Sequence, residues 1–118
     1  MRTTIISIVL FSLLLFGVIL NGFFVRNVSN ELIEYANLLS TPCEKDLQSL
    51  EAYWIGKRDW LALSIPSSYL DNIEKVIISM HSSYKSDNLN EYNKDLALFR
   101  QAAQTIDKAE RFSIKNIL

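Results

Sequence analysis

The stretch Ile5–Val25 reads IISIVLFSLLLFGVILNGFFV and carries no charged side chain; Arg2 is the only one before it and Arg26 the first after it. Coiled into an α-helix at about 1.5 Å per residue, this stretch is roughly 30 Å long, the hydrocarbon thickness of a bilayer. It predicts a membrane anchor over residues 1–26 and a separate helical domain over residues 27–118. A cleavable signal peptide is the competing reading, with Arg2 as its positive start and Ile5 to Leu20 as its apolar middle. The exit Val18-Ile19-Leu20-Asn21-Gly22-Phe23-Phe24 offers branched or aromatic groups where a peptidase needs small ones. The residues therefore favour an uncleaved signal anchor. No cysteine closes the run to accept a lipid.

Arg2 and the terminal amine on one flank nearly balance Arg26 on the other, so the distribution of basic residues orients the span only weakly. A short N-terminal tail stays inside, which predicts a single-pass protein with a cytoplasmic N-terminus and its domain on the outer face of a bacterial plasma membrane. Gly17 and Gly22 are five residues apart and miss the four-residue spacing of a tight helix pair, so dimerisation through the span has no support.

The remainder, roughly 90 residues, suffices for one domain with a modest core. Net charge is −1 and acidic and basic residues are interleaved, so no basic stripe recommends a nucleic-acid partner. The single Cys43 closes no internal disulfide and no cysteine metal site. A half-buried thiol is the simpler reading than an intermolecular bridge.

Val25, Val28, Leu32, Tyr35 and Leu39 follow a three-four spacing, which makes one helical stripe able to continue straight out of the anchor. Such a stripe points to packing within the domain. Asn27-Val28-Ser29 matches a glycosylation sequon, but at the membrane exit it carries no weight. Thr41-Pro42-Cys43-Glu44 predicts a new helix with Thr41 as N-cap and Pro42 at its first position. Cys43, Leu47, Leu50, Trp54, Leu61 and Ile65 form its apolar face, Gly56 suggests a kink or a close helix contact, and Pro66 predicts an end near Ser64. Ser68 and Asp71 predict the start of a third helix, with Leu70, Ile73, Ile77, Met80 and Tyr84 inward and Asp87-Asn88 closing it. Asn88 and Glu91 predict the fourth start, with Leu89, Tyr92, Leu96, Phe99, Ala103 and Ile106 inward. Asp71 with Lys75 and Asp107 with Arg111 read as solvated pairs four apart. No window alternates as a strand does, and all connections are short. The expected fold is all-α: an N-terminal transmembrane helix followed by a small up-and-down bundle of about four helices, with the tail from Phe112 to Leu118 folding back on it.

Chemistry is hard to place. His81 is the only histidine, its neighbours Ser82 and Ser83 project from other faces, and Glu74 lies two turns away, too far to share a metal ion. Asp71 with Glu74 and Asp107 with Glu110 are carboxylates of ordinary wet faces. Three glycines leave no phosphate-cradling loop. No catalytic, cofactor or metal residue is assigned, and the chain is read as a non-enzyme. Trp54 and Trp60 lie roughly 120° apart on one helix, so a single core cannot hold both. Trp60 instead shares a side with Tyr53 and Gly56, a candidate interaction strip that faces the bilayer surface, the C-terminal tail or a partner protein, packing under the tail being the simplest case.

Taken together, the short anchor, the two tryptophans before Leu61-Ala62-Leu63-Ser64-Ile65, the segment Leu70-Asp71-Asn72-Ile73 and the ending Ile114-Lys115-Asn116-Ile117-Leu118 resemble the domain of unknown function 4363 family. These are small single-span proteins of Gram-positive, often spore-forming bacteria. Where members carry a His and a Glu in the loop before helix three, this chain has Ser67 and Tyr69, so any polar site there is lost. The resemblance implies an anchored helical domain outside the cytoplasmic membrane and supplies no activity.

The expected function is a membrane-tethered interaction, accessory or scaffold module at the outer face, held in the lipid bilayer by its first helix and bound to another membrane or envelope protein. A bundle that senses a small molecule or signal is the alternative, and a secreted enzyme the third.

Overall fold

The computed structural model describes the backbone of residues 2–117 and the side chains of residues 2–110. Four helices follow one another: α1 over Arg2–Leu38, α2 over Glu44–Leu61, α3 over Ser67–Lys85 and α4 over Leu89–Ile117. No strand occurs among the described residues. The apolar run and the first bundle helix are one element, so the described residues form four helices. Nothing between Ile5 and Leu38 breaks the helical ladder: no proline occurs there, and the stripe from Val25 to Leu39 takes over where the apolar run ends.

The helices alternate up and down. α4 runs antiparallel to both α1 and α3 and packs closely on each, whereas α2 approaches α1 and α3 at fewer points. The close fit of α1 to α4 has a local cause. Gly22, Ser29 and Ala36 recur every seventh residue on α1, and the buried Ser29 hydroxyl donates to the Ala103 carbonyl at 2.7 Å. Small side chains at one heptad position let the two backbones draw together, while Val25, Leu32 and Leu39 fill the neighbouring position. Trp54, Tyr92 and Phe99 supply the bulk of the core, surrounded by Leu32, Leu39, Leu47, Leu50, Leu70, Ile73, Met80 and Ile106.

The inward stripes are as the spacing requires, except that Leu89 is 62% exposed, lying at the first position of α4 where the chain is still turning. The caps differ more. Cys43, not Thr41, is the N-cap of α2: its extended backbone (φ −150°, ψ 126°) keeps Pro42 outside the helix, which begins at Glu44. α2 ends at Leu61, short of Ser64, in a turn in which the Ser64 and Ile65 amides both donate to the Leu61 carbonyl at 3.1 and 2.8 Å. Pro66, not Ser68, caps α3.

The link between α3 and α4 is compact. Asp87 adopts φ 54°, its amide donates to the Tyr84 carbonyl at 3.2 Å, and the Asn88 amide donates to Ser83 at 3.0 Å. This paired closure of a helix end normally has glycine at the left-handed position. Asn88 then starts α4, its Oδ1 accepting from the Glu91 amide at 3.2 Å, as its type predicts. α4 continues as a helix to Ile117, so the segment expected to fold back prolongs the rod instead. Gly56 lies within a continuous α2 and touches no other helix: a Cβ there would meet nothing within 4 Å.

Candidate interaction surface

Along the seam of α2 and α3, polar side chains reach across between the helices. Arg58 meets Asp71 at 3.1 Å and Glu74 at 2.9 Å, and the Trp54 indole N–H donates to Glu74 at 3.3 Å. Asp71 thus pairs across the seam with Arg58, in place of the in-helix partner Lys75. Arginine's planar fork carries enough donors to hold both carboxylates at once. The pairing expected of Asp107 involves Arg111, whose side chain lies outside the described residues. Two turns farther along the seam, His81 Nδ1 donates to Glu51 at 2.6 Å, while Nε2 stands 3.5 Å from Glu44 without closing a hydrogen bond.

Between these two polar knots stand Ile55 and Ile78, 71% and 63% exposed. Ile78 shares a stripe with Asp71, Glu74 and His81, and Ile55 shares one with Glu51 and Arg58. The outer rim of the seam therefore presents apolar side chains between fixed charges.

The strip Tyr53, Gly56, Trp60 separates into different environments. The Tyr53 ring packs against Tyr35 with centroids 5.4 Å apart, and Lys57 Nζ lies 5.8 Å from its centroid and 5.7 Å from that of Phe24. Burial, and after it the adjacent Glu31 carboxylate, raises the pKa of the Tyr53 hydroxyl. Gly56 faces open space, and Trp60 is 64% exposed rather than packed beneath a covering segment.

The level of Trp60 along the molecule follows from two registers. Through α2, Lys57 stands beside Phe24, and Trp60 lies one turn nearer the apolar end of α1. Through α4, Asp95 accepts from Ser79 at 2.7 Å and Ser83 at 3.1 Å, and Glu110 lies buried where a Gly22 Cβ would stand 3.5 Å from its Oε1. Counting from Asp95 to Glu110 along α4, and back by the same number along antiparallel α3, leads from Ser79 and Ser83 to Ser64 and Ser68. The α2–α3 turn is therefore level with Gly22, the outer end of the apolar run.

Asp95 is the functional-looking group that sequence reasoning missed. It is 7% exposed and accepts both serine hydroxyls. The signal was present: Tyr92, Asp95, Phe99, Ala102 and Ile106 keep a three-four spacing in which the aspartate occupies a core position. Its partners make it a structural clasp of α3 to α4. Ser83 turns to Asp95 and away from His81, and no group of three or more His, Cys, Asp or Glu among the described residues is placed to hold a metal ion. An open groove of about 390 Å³ lies on α1 between Leu20 and Asn30, lined also by Phe23, Phe24, Arg26 and Asn27.

The family described as Domain of unknown function (DUF4363) matches residues 27–117. No curated protein and no solved structure matches the chain significantly.

Proposed function

The chain belongs to the DUF4363 family, and from that premise we propose that it is a membrane-anchored, non-catalytic interaction module, an accessory or scaffold subunit at the outer face of a bacterial plasma membrane. The observation that carries this reading is the apolar part of α1. Its most apolar window has a mean hydropathy of 2.6, and none of that window is buried against the rest of the chain. A core helix of these residues would be covered. An uncovered apolar cylinder of this size is far larger than the patches that water-soluble monomers tolerate, and it has the length of a bilayer span.

The bundle meanwhile has a core of its own, which takes its first apolar side chains from Phe24 and Val25 at the end of the apolar run. In this reading the N-terminal end of the span, marked by Arg2, faces the cytoplasm. The partner-binding face is the rim of the α2–α3 seam, where exposed Ile55 and Ile78 combine apolar area with charges already fixed in place.

Three measurements test the reading. Carbonate washing of membranes should leave the full chain in the pellet; release into the supernatant contradicts an anchor. Protease added to intact cells should remove the bundle and spare the apolar lower half of α1; protection of the bundle reverses the orientation. A photocrosslinker at Ile55 should capture a membrane or envelope protein, and failure to capture any, with unaltered behaviour of Ile55→Ser, removes the interaction role.

A further inference from the structure

We propose that the turn between α2 and α3 is a second membrane contact, with Trp60 and Leu63 seated in the headgroup layer of the bilayer that α1 crosses. The inference rests on the anchor reading above and adds the attitude of the bundle: upright, with this turn against the lipid. Both registers, through Lys57 beside Phe24 and through Glu110 beside Gly22, bring the turn to the outer end of the apolar run. At that level the turn exposes Trp60 at 64%, Leu63 at 78% and Tyr69 at 38%.

Three apolar or aromatic groups at one end of a small bundle would be a liability in water. At a membrane boundary they are well suited, because indole and phenol rings place an apolar body in the acyl region and a polar edge among headgroups. Lys57, three residues before Trp60, puts a cationic group at the height of lipid phosphates, while Arg58 is held by Asp71 and Glu74. A lipid surface satisfies the turn without any further chain.

The test uses the full chain in vesicles of phosphatidylcholine and phosphatidylglycerol whose acyl chains carry bromine either near the headgroup or near the bilayer centre. The shallow bromines should quench tryptophan emission more than the deep ones. Trp60→Phe should abolish most of that quenching, leaving the emission of buried Trp54 unaffected. Carbonate-resistant association with no quenching from either depth overturns the proposal while leaving the anchor standing, and directs attention to a protein partner at Trp60. Stronger quenching by the deep bromines also overturns it, since the turn would then lie below the interface. Loss of carbonate resistance fails the anchor reading itself, and this inference with it.

Discussion

Tyr92 ties α4 to the end of α1. It is 1% exposed, and its hydroxyl donates to the Leu39 carbonyl at 2.6 Å, which satisfies an acceptor at the end of α1. Tyr92→Phe should cost about 1 kcal/mol, read from chemical unfolding of the full chain in detergent. Burial, with Asp46 contributing next, pushes the Tyr92 pKa from 10.0 up to about 12. A raised pKa means that the folded state holds the proton more tightly than the unfolded chain does. The stability this provides is complete below pH 10 and is lost as pH rises through about 12. The unfolding midpoint should therefore fall across that window, less steeply in Tyr92→Phe; an equal slope in both proteins would remove Tyr92 as a source. Asp87 invites the opposite change. It occupies a left-handed position at φ 54°, so Asp87→Gly should stabilise the chain by up to about 1 kcal/mol, visible as a raised melting temperature.

At this scale the sequence was legible where a residue type has one geometric use, as at Asn88, and opaque where pairing depends on a second helix. Asp71 looks like a partner for Lys75 until α2 brings Arg58 beside it. Nothing local to Asp95 announces that two serines on α3 will take up its charge.

Among the elements, α2 is the least tightly held. Its backbone comes close to α1 and α3 at few points, and much of its attachment passes through long side chains such as Trp54, Tyr53 and Arg58. Amide exchange should be fastest in α2 among the bundle helices and slowest where α4 lies between α1 and α3; equal protection would contradict this ordering. Trp54→Phe should destabilise by about 1 to 3 kcal/mol through lost packing and the orphaned Glu74 contact, whereas Trp60→Phe should stay within about 0.5 kcal/mol. Gly56 faces open space within a continuous helix, so Gly56→Ala should stabilise by about 1 kcal/mol. Melting curves of the three variants test both statements.

The elements themselves were readable because the apolar spacing on each is nearly unbroken. Their ends were less so. Thr41 and Ser68 carry the right side chains for caps, yet α2 begins after Cys43 and α3 after Pro66, neither of which makes a side-chain cap hydrogen bond. The continuation of α4 past Glu110 was hidden because Phe112, Ile114 and Ile117 suit a folded-back tail as well as they suit a helix.

For the whole molecule, the principal extents are 68, 24 and 19 Å, a narrow rod with its apolar half at one end. The all-helical build and the family were both open to reading from the chain. The height of Trp60 was not, since it emerges only once α2 and α4 are laid beside α1.

Because α1 is unbroken from Arg2 to Leu38, it contains no swivel between its lower and upper halves. Any lean adopted by the lower half is shared by the upper. Tilted by about 20°, as spanning helices commonly are, it would carry its far tip sideways by roughly 12 Å. Under the proposed anchoring, a neighbour that straightened or tipped the lower half would sweep the distal loops through an arc, making the chain a lever with its fulcrum in the bilayer.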